Sequence, residues 1–346
     1  MGTSIVRAST VLLLLLTTPS CGGSDDAENN GGGGSFGGSG GTGGTGGGAP
    51  SDSGTGGSFL DGAPAEGSVP ECDDNVRPVY VLARDEAHGT IHRFEPDSLT
   101  FTPVVPVDCP DTQDWEVSSM AIDRSYGAWV EWGGLHDGPD DPFPKRLDRI
   151  DLATGVCSPN QGKLPTVEQW GSPLGMAFVT DTNGGSTEGL FFVDTSTRVY
   201  GLGATEAVGR FYDGGGLTFS GVELSGTGAG RLFMLIMNWT PEWDHPCTAD
   251  NPCPPTVHLG EVNKNDGTEV SHVELPDVPA MGISSGGFAF AHWGGHFWVF
   301  ISKDFGPTHV YDYDPAADVT VLAKSDGPDG VVGAGVSTCA PLEMPK

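Results

Sequence analysis

Three carboxylates stand where acid–base chemistry could be done. Glu223 interrupts an apolar stretch, Val222-Glu223-Leu224, while Glu116 and Asp123 bracket the run Val117-Ser118-Ser119-Met120-Ala121-Ile122. Two such groups, one protonated and one not, are what glycoside hydrolysis requires, so Glu223 with Asp123 and Glu116 forms the catalytic alternative. A second set suits recognition better than reaction. Trp115, Trp170, Trp239 and Trp243, four of the eight tryptophans, fall in polar segments with Asp244, His245, His136 and Asp137. An indole face beside carboxylates stacks on a sugar or attracts a cationic group. The competing reading is that these tryptophans pack under long loops as satellite core while the aspartates solvate or cap turns. His136, Asp137, Asp140, Asp141 and the Asp244-His245 pair offer calcium ligands, but neither run has EF-hand spacing, so calcium is at most a candidate cofactor and no metal site is assigned. HExxH and a strand-to-helix phosphate loop are both absent.

These residues need elements to position them, and the sequence supplies strands. From residue 76 onward no sustained 3.6-residue period occurs; apolar runs of four to six residues are bounded by Gly, Asp, Asn and Pro. The runs recur in order. A small-residue strand appears as Ser119-Met120-Ala121-Ile122, Gly175-Met176-Ala177-Phe178, Ser220-Gly221-Val222, Gly287-Phe288-Ala289-Phe290 and Gly333-Ala334-Gly335-Val336. Each of the first four precedes a bulkier strand, such as Leu232-Phe233-Met234-Leu235-Ile236 or Phe297-Trp298-Val299-Phe300-Ile301, then an alternating third strand and a more polar fourth, such as Ala153-Thr154-Gly155-Val156-Cys157.

The chain ends complete each other. Val79-Tyr80-Val81-Leu82, Ile91 to Pro96 and Thr100 to Val104 match second, third and fourth strands with no first, and Val331 to Ser337 matches a first strand with nothing after it. The expected fold is therefore all-β: a five-bladed β-propeller closed by a C-terminal strand joining three N-terminal ones, which removes open sheet edges. Small residues fit the crowded inner strands, and aromatics fill the space between blades. A pair of β-sandwiches is the rival, and it leaves the complementary ends unexplained. The repeat resembles the propeller units of exported bacterial proteins, including the YVTN and SMP-30-like sets, over roughly residues 76–340, as a pattern of residue types that carries over no functional residue. Second-to-third-strand and blade-to-blade loops share one face of a propeller. The Trp- and Asp-rich segments fall in those loops.

The N-terminus reads as an export signal, residues 1–20: one charge at Arg7, an apolar run too short to span a bilayer, then Thr18-Pro19-Ser20-Cys21. Small residues followed by Cys resemble a bacterial lipobox, which implies lipidation of Cys21. Gly22 next to it favours an outer-membrane lipoprotein, facing periplasm or cell surface, with the membrane a partner through the lipid. Residues 22–57 contain 18 glycines in 36 positions, and the stretch 21–70 is expected as a disordered tether before a propeller domain at 71–346. Six further cysteines suit an oxidising compartment. Cys72 and Cys339 flank the closing sheet, Cys247 and Cys253 staple a local loop, and Cys109 and Cys157 follow outer strands of successive blades, a pairing that needs them within about 7 Å.

The chain has 46 acidic and 16 basic residues, net −30. Residues 1–69 hold six acids and one base, leaving 40 and 15 in the remainder, net −25. That charge repels phosphate and excludes nucleic acid as a partner. The expected function is a binding module for carbohydrate, peptide or protein at the Trp/Asp loop face, with a carbohydrate-active enzyme built on the channel carboxylates as the alternative.

Overall fold

Short apolar runs punctuated by turn residues become antiparallel strands in a computed structural model that describes residues 72–85, 88–134, 145–165, 175–212, 221–239, 256–280 and 286–345. After a 3-10 turn at Asp74–Val76 come β1 (Val79–Ala83), β2 (Thr90–Glu95) and β3 (Thr100–Pro106). The second blade holds β4 (Trp115–Ile122), β5 (Gly127–Gly134), β6 (Lys145–Asp151) and β7 (Cys157–Ser158). The third holds β8 (Gly175–Thr180), β9 (Glu188–Val193), β10 (Arg198–Gly201) and β11 (Gly209–Arg210). The fourth holds β12 (Gly221–Gly226), β13 (Leu232–Trp239), β14 (Thr256–Val262) and β15 (Glu269–Glu274). The fifth is β16 (Gly286–Trp293), β17 (His296–Lys303), β18 (Thr308–Asp314) and β19 (Val319–Lys324), after which β20 (Val331–Gly335) returns to β1.

The described strands form five four-stranded sheets, one of them ordered β20-β1-β2-β3, so the first blade takes its inner strand from the C-terminus. Tyr80 pairs with Gly335 and Val81 with Ala334. The ring is a closed five-bladed β-propeller. Its core is divided accordingly: each cluster of buried apolar residues lies between two neighbouring blades, including one that joins Phe94 and Val81 of the first to Phe300 and Trp298 of the fifth. Phe94 meets Phe300 edge-on, with ring centroids 5.3 Å apart, a favoured aromatic geometry.

Small residues on the inner strands have a measurable reason. A Cβ on Gly226 of β12 would lie 2.1 Å from the Phe178 carbonyl oxygen of β8, and one on Gly287 of β16 would lie 2.1 Å from that of Val331 in β20. Any side chain there would force neighbouring blades apart.

Two cystines tie the ring. Cys72–Cys339 spans the closing seam (Cα–Cα 5.9 Å), and Cys109–Cys157 joins the outer regions of the first and second blades (Cα–Cα 5.4 Å). Cys247, Cys253 and Cys21 lie outside the described residues. The outer strands differ from expectation in two blades. Residues 153–155 make a turn and β7 keeps only two residues, because the Asp151 carboxylate accepts from the N–H groups of Ala153 and Thr154 and Gly155 takes φ 73°. Local side-chain capping there competes successfully with a ladder that has only one partner strand. Trp115 and Trp239, expected in loops, instead begin β4 and end β13.

The two faces of the ring are unequal. On one, here the tail face, short turns join first to second and third to fourth strands, and the C-terminal segment crosses them. Thr338 donates to Glu188 of the third blade and accepts from Arg124 of the second. Gly228 of the fourth blade abuts the Thr338 carbonyl, and the Pro341 carbonyl accepts from Gly294 N–H of the fifth. The other, the loop face, is where β1–β2, β5–β6, β13–β14 and the blade-to-blade connections begin and end.

Candidate functional site

The inner strands surround a central channel in the order β20, β4, β8, β12, β16. Glu223, third residue of β12, is 4% exposed. Its carboxylate accepts a 3.1 Å hydrogen bond from the Ser119 hydroxyl of β4. Since β12 and β4 belong to blades separated by the third, that bond spans the channel. Burial pushes the Glu223 carboxyl well above its ordinary value; the nearby Glu131 charge adds to this, while Ser119 and the N–H groups of Leu224 and Met176 oppose it. Burial is the dominant cause.

A sequence irregularity positions the neighbours. Val117 pairs with Trp132 and Ser119 with Glu131, so Ser118 is the extra residue of a β-bulge. Bulges re-aim side chains. Here the Ser118 hydroxyl donates to Glu131 Oε2 (2.9 Å), and Lys145 Nζ lies 3.0 Å from Glu131 Oε1. Glu131 is 1% exposed. Two buried glutamates thus lie near each other, Glu223 on an inner strand and Glu131 on the strand beside one, each bonded to one of two consecutive serines, with a lysine on Glu131. Toward the tail face the channel narrows between Ala121, Met176, Ala177, Leu224, Ser225, Gly226, Gly335 and Val336, with no room for a water molecule.

The other two sequence-derived carboxylates lie elsewhere. Glu116 and Asp123 are near opposite ends of β4, seven residues and therefore roughly 23 Å apart at strand rise. Asp123, at the tail face, accepts from Ser125 and Gly127 N–H, from Trp129 Nε1 (2.8 Å) and from Arg149 Nε (2.6 Å). Burial alone would raise its carboxyl, but the hydrogen bonds of Arg149, Trp129 and Gly127, with the Arg149 charge, hold it below its ordinary value. It ties the first three strands of its blade together. Glu116 is exposed at the loop face and pairs with Arg84 Nη2 at 2.5 Å. The three do not share one cavity.

Around Glu116 the loop face gathers groups from three blades. The Arg84 guanidinium, from the first, lies 5.4 Å from the ring centroid of Phe305, from the fifth, while bonding Glu116 of the second. Phe305 is 45% exposed and, with Asp304, has positive φ (54° and 53°). A bulky residue in that region is uncommon and costs about 1–2 kcal/mol, and the ring is not buried in compensation. Trp115 packs partly buried against the cluster between first and second blades, which is the satellite-core arrangement. Of Trp239 only the strand position is described. Trp170, Trp243, Asp244, His245, His136 and Asp137 fall outside the described residues.

Among the described residues, the grouping of potential metal-ligand atoms is Cys109, Asp148 and Cys157, and its two sulfurs form a disulfide. No described helix is long and apolar enough to cross a membrane. Arg84, Phe305, Glu131, Ser118 and Lys145 were not singled out by sequence reasoning. The positive-φ pair at 304–305 has no sequence signal, since such turns usually carry Asn or Gly.

No protein family matches the sequence, and no curated protein does. Solved structures show low-level likeness. A luciferin-regenerating enzyme is 12% identical, with 75% of this chain and 80% of that one covered and a TM-score of 0.38. The GH43 protein BlXynB from Bacillus licheniformis is 9% identical, covering 76% and 58%, with a TM-score of 0.40. A putative 6-phosphogluconolactonase from Bacteroides fragilis is 11% identical, covering 75% and 97%, with a TM-score of 0.34. The propeller assignment stands on the strand pairing itself.

Proposed function

We propose that this chain is an exported, lipid-anchored binding protein: acylated at Cys21, held off an outer membrane by residues 22–70, and presenting its propeller's loop face to a carbohydrate, peptide or protein ligand. The observation that carries the reading is the contrast within the ring. Arg84, Glu116 and Phe305 from three blades meet at the loop face, Glu116 and Phe305 exposed and Arg84 half-buried between them, whereas Asp123 is fully engaged inside the fold. An aromatic face beside a donor and an acceptor is a recognition surface. The sequence adds Trp239, Trp170 and Trp243 with Asp244, His245, His136 and Asp137 in or beside segments that join strand ends on this face. A net charge of −25 beyond residue 69 favours neutral or cationic ligands.

The test is glycan- and peptide-array binding by the purified chain and by the Trp239→Ala/Trp243→Ala double variant. Loss of the wild-type hits in the variant is expected. Unchanged binding would remove the tryptophans from the site.

A second reading is favoured by one observation, the buried Glu223, its carboxyl pushed up by burial, near the buried, lysine-paired Glu131. Two carboxyl groups in different protonation states are what glycoside hydrolysis uses, Glu223 delivering its proton to the leaving oxygen. On this reading Glu223→Gln abolishes turnover of a polysaccharide substrate, and retained activity sinks it.

A further inference from the structure

The outer strand of each blade has a free edge, and four of the five are blunted in recognisable ways. β3 carries Pro103 and Pro106, β7 and β11 are two residues long, and β15 carries Glu269, His272 and Glu274. Prolines, brevity and charge are the devices that prevent strand addition at a sheet edge. The fifth is the least protected, with only a bulge at Ala323 and a single Lys324 at its end. β19 reads Val-Thr-Val-Leu-Ala-Lys over Val319–Lys324, six residues without proline, glycine or acid. Val319, Val321 and Leu322 are 49%, 49% and 53% exposed. The expectation that fourth strands are the more polar ones of their blades is weakest here.

We infer that β19 is a docking edge for an extended segment of another protein, with aliphatic residues at its centre and Lys or Arg at its flanks, added antiparallel or parallel as a fifth strand of that blade. Main-chain hydrogen bonds give such pairing its affinity, and alternate side chains give it specificity. The charge requirement comes from what borders the strand. Asp318 is exposed immediately before β19, and Asp326 (79% exposed side chain) and Asp329 follow it. Lys324 lies between and pairs with Asp326 at 2.7 Å. A second copy of the same edge fits poorly. Antiparallel self-pairing would set the acidic end of one strand near the acidic flank of the other, and each copy carries net −25 beyond residue 69, an arrangement that like-charge repulsion disfavours. The edge lies at the periphery of the ring, away from the loop face, so the inference is independent of the function proposed above.

The test uses a ten-residue synthetic peptide of alternating Val and Thr flanked by two Lys at each end, titrated into the purified chain. Binding that weakens with salt is expected, reduced at least about tenfold when alternate peptide nitrogens are methylated, because methylation removes strand hydrogen bonds at constant charge. A Val321→Asn/Leu322→Asn variant should lose binding to the same extent, while Val270→Asn on β15 should not. Equal binding by the methylated peptide, by a Glu-flanked peptide or by the Val321→Asn/Leu322→Asn variant would overturn the inference. So would absence of binding, or a dimer of this chain that the same double variant dissolves. The methylated-peptide arm leaves the protein unaltered, so it stands even if the variant folds poorly.

Discussion

Asp123 and Glu116 sit near opposite ends of the same strand, β4, and are used in opposite ways. At the tail face Asp123 is 6% exposed and accepts from Ser125, Gly127, Trp129 and Arg149, and around it the C-terminal segment links the turns of other blades. At the loop face Glu116 is exposed and shares one arginine with the open ring of Phe305. Satisfied and buried polar groups fix geometry; exposed, partly free ones can change partners. The contrast teaches that the ring concentrates its cross-blade polar ties at one end and its exposed, less committed groups at the other, which is where the proposed recognition surface lies. Glu223, midway between, belongs to neither: it spans the channel, buried, on a single side-chain hydrogen bond from Ser119.

The contrast can be broken at several points. The largest effect is expected from deleting residues 331–346, which removes β20, the Cys339 half of the seam cystine and the segment across the tail face; circular dichroism should show loss of the cooperative melt. A deletion variant as stable as the intact chain would refute the ring closure. Next is Asp123→Ala, which strands a half-buried Arg149 and the Trp129 N–H and is expected to cost about 3 kcal/mol in denaturant unfolding, at the low end of what breaking a buried pair does. Replacing Cys72 and Cys339 by Ser should follow, at about 2–4 kcal/mol. Glu223→Gln should be smallest, within about 1 kcal/mol when measured near pH 4, where the amide replaces a neutral carboxyl of the same shape.

The two carboxylates also differ in sign against pH. The folded-state value of Asp123 is lowered, so its stabilisation is present above the ordinary value of 3.8 and is lost as pH falls through the folded one. Glu223 is raised, so its favourable contribution is complete below the ordinary 4.5 and declines as pH rises toward the raised value. Unfolding free energies of wild type and Glu223→Gln measured from pH 4 to 8 should therefore diverge in favour of the variant as pH rises. Parallel curves would mean Glu223 ionises in the fold as it does when unfolded.

Strand order, the complementary ends and both described disulfides were legible because each rests on local residue type or on repetition along the chain. The fourth strands of the second and third blades were not. At Asp151-Leu152-Ala153-Thr154-Gly155, turn chemistry outweighs an edge ladder of one partner, and a run of plausible strand residues is no guide to that balance. Glu223 could be picked out as a carboxylate inside an apolar run, but its partner Ser119 is 104 residues away. Arg84 and Glu116 are 32 apart. Ring closure alone brings such pairs together, so no spacing announces them.

The measurement that bears most directly on a loop-face site is a paired titration of the best array ligand into Phe305→Ala and Glu223→Gln. Phe305→Ala should weaken binding at least about tenfold, or 1.4 kcal/mol, with Glu223→Gln indistinguishable from wild type. Binding that survives loss of Phe305 but fails with Glu223 would move the site into the channel and contradict the account.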